Sequence, residues 1–126
     1  MRRRLPGADR PQTQLHRTGA AFAARMVRQR FFDHTEPNGQ VLLARIQPTG
    51  YPTGSRSFAL GETIAWGTGP QATPAGTVAA WMASPPHRAA LLDPRFRELG
   101  VGLALGAPKA GVTAPAATYV GEVGVR

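Results

Sequence analysis

At 126 residues the chain is long enough for one domain with a real core, and its 42% hydrophobic content is ordinary for a globular protein. It has no cysteine, which excludes disulfides and thiolate metal sites, and no run of about 18 apolar residues, which excludes a membrane-spanning helix in its sequence pattern. The net charge of +8 comes from fourteen Arg and one Lys against seven acids, and residues 1–33 hold +6 of it.

Residues 1–17 are basic and interrupted by Pro and Gly, so loop or frayed structure is expected there. Met1-Arg2-Arg3-Arg4 would suit the start of a signal peptide, but Pro6, Gly7, Asp9 and Arg10 stand where an apolar segment is required. From Thr18 to Phe32 the pattern is helical. Ala20, Ala23, Ala24, Val27 and Phe31, with Phe22 and Met26, form an apolar face, and Arg25, Arg28 and Arg30 lie opposite. Pro37 and Asn38-Gly39 force a turn. A short helix is expected over Gln40–Gln47, then a loop over residues 51–60.

Glu62–Gly67 reads as a short strand or a buried turn, followed by a Gly/Pro/Thr loop to Thr73. Pro74 opens a helix through Trp81 and Met82, and a further helix runs from Pro85 to Leu92, stopped by Asp93-Pro94. Leu99–Leu105 is a predicted strand with Gly at alternate positions, which implies close backbone approach on one face. After a turn-rich connector from Gly106 to Pro115, Ala117–Val123 is a second strand, antiparallel to the first. Helices followed by strands indicate an α+β chain rather than a βαβ repeat.

Four polar residues stand out. Ser84 is placed to cap the helix that Pro85 opens, a use that commits its hydroxyl and argues against a nucleophile. His87 then falls at the positive end of that helix, where the imidazolium is disfavoured and a lone pair stays free to hold a metal or accept a proton. His34 follows the first helix, where an imidazole suits capping of the last carbonyls as well as a site. Glu62 enters an apolar strand and needs a partner there, structural or functional. His16 has no local context and is expected in solvent. Trp81 and Met82, at helical spacing with Val78, read as core, as does Trp66. The arginines come with an excess of Ala, Gly and Pro, a compositional bias. No basic–aromatic interleaving or zinc-finger spacing accompanies them, so no nucleic acid partner is expected.

These motifs together resemble a family. Phe31-Phe32-Asp33-His34, Asn38-Gly39, Arg45 and Gly50-Tyr51 are similar to the opening of a bacterial CAP (SCP-like) domain. That superfamily includes cysteine-rich secretory proteins, antigen 5 and plant pathogenesis-related 1 proteins. Gly61–Gly67 resembles its Gly-Glu-Asn-Ile/Leu-Ala motif, Ala80–Arg88 its Trp-Met-x-Ser-Pro-x-His-Arg motif, and Phe96–Gly102 the phrase that follows.

The resemblance implies an α/β/α sandwich with a small, mainly antiparallel sheet between helices. It assigns residues 18–126 to the domain and residues 1–17 to a partly disordered remnant of an earlier helix, in a chain truncated at its N-terminus with its signal peptide lost. It implies an extracytoplasmic location and a cleft lined by two His and two Glu, which in some members holds zinc or another divalent metal. His34, Glu62 and His87 fall on three of those positions, with His34 and His87 as the possible metal ligands. Gly76 stands where the fourth, a Glu, is expected, and Thr63 replaces an Asn. The expected function is a non-enzymatic module binding a lipid or cell-envelope component. The alternative is a divalent-metal-dependent hydrolase with Glu62 as general base.

Overall fold

The computed structural model describes residues 7–51 and 57–126. The expected structure of residues 1–6, and of 52–56 within the predicted 51–60 loop, falls outside them. The elements are β1 (Arg10–Pro11), α1 (Thr13–Gln29), α2 (Leu42–Ile46), β2 (Ala59–Thr68), α3 (Pro74–Ala83), α4 (Pro85–Leu92), β3 (Glu98–Leu105) and β4 (Ala116–Val125). Short 3-10 turns follow α2 (Gln47–Thr49) and β2 (Gly69–Ala72). The sheet order is β1-β3-β4-β2. Among the described residues only the β1–β3 pair is parallel, and β4 runs antiparallel to both β3 and β2.

Alternation along the strands separates two apolar layers. Ile64 of β2 and Val120 of β4 face α1 and pack with Phe22, Ala23 and Met26. One residue along, Ala65, Ala117 and Tyr119 face the other way and pack with Trp81 of α3 and Leu91 of α4. The two-residue side-chain period of a strand produces this division. The result is helix, sheet, helix, as the resemblance implied. Polar tips are satisfied in the second layer: Trp81 Nε1–H donates to the Ile64 carbonyl at 3.3 Å, and Tyr119 hydroxyl to that of Ala72 at 2.8 Å.

The glycines of β3 have the expected role. A Cβ on Gly100 would lie 2.1 Å from the His16 nitrogen, and one on Gly102 would lie 2.0 Å from that of Ala20. The main chain of α1 rests directly on β3, and only glycine allows it.

Several expectations are corrected. The first helix starts at Thr13, so residues 13–17 are not frayed, and the Gln12 side chain caps it by accepting from the Leu15 N–H at 2.8 Å. It ends at Gln29 rather than Phe32, because Arg30 adopts a left-handed conformation (φ 58°) and turns the chain out of the helix. Glu62–Gly67 belongs to a ten-residue strand, neither short nor a buried turn. Trp81 is core, but Val78 is 52% exposed, because α3 buries the side that carries Thr77 and Trp81. Trp66 is half-buried, with the Lys109 ammonium 5.4 Å from its ring centre. His16 is exposed, as expected.

Candidate functional site

Glu62 is the centre of a charge network. It lies on the α1 side of β2, with its side chain only 3% exposed. A buried carboxylate needs compensation, and it comes from two segments. Arg45 of α2 is 1% exposed and places Nη2 at 2.9 and 2.8 Å from the two Glu62 oxygens. His34, in the turn after α1, sets Nδ1 at 2.8 Å from Oε1. Arg45 also donates from Nη1 to the carbonyls of His34 (3.0 Å) and Gln40 (3.4 Å). One guanidinium therefore holds both the carboxylate and the turn that carries the imidazole.

The network extends on both sides. Glu36 is buried and bonds Arg25 Nε at 2.6 Å, with Arg45 at 3.6 Å. Arg45 also sits over Phe22, its Cζ 3.6 Å from the ring centre, a favourable cation–π position. Glu122 of β4 is the direct cross-strand partner of Glu62 and is 1% exposed. It lies beneath Gly19 of α1, where a Cβ would be 3.5 Å from its Cγ. Among the described residues no nitrogen or hydroxyl donor reaches either Glu122 oxygen. What Glu122 faces is the Glu62 carboxyl.

Two adjacent carboxyls cannot both be charged without great cost. Burial, then the bond and charge of Glu62, push Glu122 well above the usual carboxylate range. Burial also pushes Glu62 up, but the bonds from His34 and the Glu122 carboxyl, with the charge of Arg45, outweigh it and hold Glu62 low. Glu122 is thus the protonated member, with a hydroxyl to donate, and Glu62 the anion. His34 is raised by its bond to Glu62, against burial. Its side chain is 54% exposed. With Nδ1–H given to Glu62, the Nε2 edge is left for an outside group.

His34 therefore does not cap α1, whose exit is closed at Arg30 by a bond to the Met26 carbonyl. His87 lies in the first turn of α4, as expected, but makes no hydrogen bond or ion pair with His34 or Glu62 among the described residues. Its Nδ1 is buried without a partner. Ser84 occupies the N-cap position but makes no capping bond. Pro86 at the second helical position removes one of the two N–H groups a cap can reach. Thr73 does cap its helix, accepting from the Gly76 N–H at 3.0 Å. A Cβ on Gly76 would lie 2.3 Å from the Pro70 carbonyl, so this position has no room for the acid expected there. Thr63 is buried opposite Gly121, and its hydroxyl has no partner among the described residues.

Among the described residues no three His, Asp or Glu side chains converge as metal ligands. His34 offers one nitrogen and Glu62 is committed to Arg45 and His34, so the donor set does not fit a three-ligand centre. The sequence reading overlooked Glu122. Val120, Glu122 and Gly124 share one strand face, and an acid in that apolar run posed the same need for a partner as Glu62. The role of Arg45 was legible in part, as a cation in a five-residue helix between apolar residues.

No helix among the described residues is long and apolar enough to cross a membrane. Two solved structures share the fold. An outer surface protein from Borrelia burgdorferi is 21% identical, with a TM-score of 0.67 over 97% of this chain and 80% of that one. An extracellular protein containing an SCP domain from Bacillus anthracis strain Ames is 23% identical, with a TM-score of 0.69 over 94% of this chain. The chain spans about a third, 34%, of that Bacillus protein. No curated protein matches by sequence. The model of the cysteine-rich secretory protein family, CAP, matches residues 13–120, a span that carries all four helices, the His34–Glu62 pair, β2, β3 and the first half of β4. On that match the chain belongs to the CAP family.

Proposed function

We propose that the chain is a non-enzymatic, extracytoplasmic module that binds a lipid or cell-envelope ligand at the exposed edge of His34. The observation that carries this reading is the state of Glu62. Its oxygens are taken by Arg45 and His34, and its basicity is held down, so it is a poor general base for water. His34 offers a polar contact beside it. Phe32, Val41 and Leu43, on the segments that Arg45 ties together, are large apolar side chains left in solvent, which supports an apolar ligand. The family match and the outer-surface and extracellular neighbours support a location outside the cytoplasm.

Co-sedimentation with neutral phosphatidylcholine vesicles and with isolated envelope fractions, at high salt, tests the reading. Binding is expected to survive salt and to fall in Leu43→Asp and His34→Ala. Calorimetry with zinc tests the alternative hydrolase, and no saturable binding tighter than about 1 mM is expected, a free energy of only about −4 kcal/mol. Micromolar zinc binding, with a hydrolytic activity lost in Glu62→Gln, would overturn the proposal.

A further inference from the structure

A second site lies at one end of the sheet, outside the His34–Glu62 network. β1 and β3 are parallel and β4 is antiparallel to β3, so the starts of the first two meet the end of the third. Three arginines distant in sequence come together there. Arg10 opens β1, Arg97 precedes β3 and Arg126 follows β4. Main-chain bonds fix them: Arg10 N–H donates to the Arg97 carbonyl at 3.1 Å, and Arg97 N–H to that of Gly124 at 3.0 Å. With Glu98 and Val125 they line a pocket of about 200 Å³.

The charges in this pocket do not cancel. The Glu98 carboxylate accepts from the Tyr51 hydroxyl at 2.9 Å and from Arg126 Nε and Nη2 at 3.2 and 3.3 Å. It is therefore committed to Arg126. Among the described residues the Arg97 side chain bonds only the carbonyls of Pro94 and Phe96, which leave its charge uncompensated. Arg10 makes no side-chain hydrogen bond or ion pair among the described residues, and its side chain is exposed. Even with a terminal carboxylate on Arg126, the three guanidinium groups lining the pocket outnumber the carboxylates lining it.

We propose that this pocket binds a phosphate group, either free or as the headgroup of a lipid. Planar guanidinium forks donate paired N–H groups that match phosphate oxygens, and forks from three strand ends can reach different oxygens of one tetrahedral anion. A carboxylate has only two oxygens and satisfies one fork. Val125 supplies an apolar wall for a substituent on the phosphate.

Titration with inorganic phosphate, followed by amide NMR shifts, and flotation with phosphatidylglycerol against phosphatidylcholine vesicles test the site. The variants are Arg10→Gln, Arg97→Gln and the double, against Arg28→Gln/Arg88→Gln, which removes equal charge elsewhere. Arg10→Gln breaks no side-chain bond among the described residues, so its thermal melt should match wild type. Each pocket variant is expected to weaken phosphate binding about tenfold, as for a lost charge-assisted bond, and the double to abolish both it and the preference for phosphatidylglycerol, while the control pair keeps both and His34→Ala leaves the phosphate titration unchanged. Competition of phosphate with phosphatidylglycerol vesicles assigns the site to a lipid headgroup. Phosphate binding with no preference for phosphatidylglycerol over phosphatidylcholine vesicles assigns it to a soluble phosphate. Equal weakening in the control pair, or no binding of either probe at about 10 mM phosphate, overturns the proposal. Because His34→Ala reads only the other cleft, failure here is separable from failure of the lipid reading.

Discussion

Replacing Arg45 with Met is the most demanding test of the network. The thioether keeps much of the stem that packs on Phe22 but removes the cation. Glu62, 3% exposed, then keeps a negative charge whose remaining donors are His34 and the Glu122 carboxyl. Breaking a buried pair from one side costs about 3–5 kcal/mol, much of it the uncompensated charge. For a domain of this size that lowers the melting temperature by roughly 10–20 °C. Urea denaturation at neutral pH measures it. The Arg45→Met/Glu62→Gln double variant removes the stranded charge and should recover on the order of 1–2 kcal/mol. The loss should also shrink in acid. Glu62 has a lowered native pKa, so its contribution is present above the ordinary carboxylate value near 4.3 and disappears as pH falls through its native value. A loss below about 1 kcal/mol at neutral pH, or a double variant no better than the single, would refute a network built around a charged Glu62.

Glu122 titrates with the opposite sign. Its native pKa is raised, so its stabilising effect is complete below about 4.3 and is lost as pH rises through the native value. Glu122→Gln keeps a donor toward Glu62 without the titration. It should cost less than about 1 kcal/mol at pH 4 and flatten the decline at higher pH in denaturation profiles. His34 should titrate above 6.5 by NMR and move down in Glu62→Gln, while a wild-type value at or below 6.5 means that its bond to Glu62 is absent. Gly102→Ala would drive a methyl to 2.0 Å from the Ala20 nitrogen, lifting α1 from the sheet, at a cost of about 3 kcal/mol in a urea titration. Thr73→Ala should cost about 1 kcal/mol in the same assay and Ser84→Ala less than half as much, because only Thr73 makes its capping bond.

The elements were largely legible because their signals are local. Pro74 and Pro85 mark helix starts, Asp93-Pro94 marks a stop, and the alternate glycines of β3 announced a close backbone approach on one face. The boundaries of α1 were less legible, because a Gln cap at one end and a left-handed Arg at the other carry weak sequence signals. His34 and Glu62 were recognisable as candidates, but their partners were not. Glu62 and Glu122 are sixty residues apart in the chain and opposite each other in the sheet.

What the sequence determined by itself is the family, the order of elements and the residue types able to carry chemistry. Tertiary structure alone decided which of those residues meet. Antiparallel register set Glu122 against Glu62, and burial made one of the two keep its proton. The same pairing of strand ends drew Arg10, Arg97 and Arg126 into one corner. His87, whose local setting looked as favourable as any, bonds neither His34 nor Glu62. A helix N-terminus specifies an environment for a histidine, but only packing against distant segments supplies its partners.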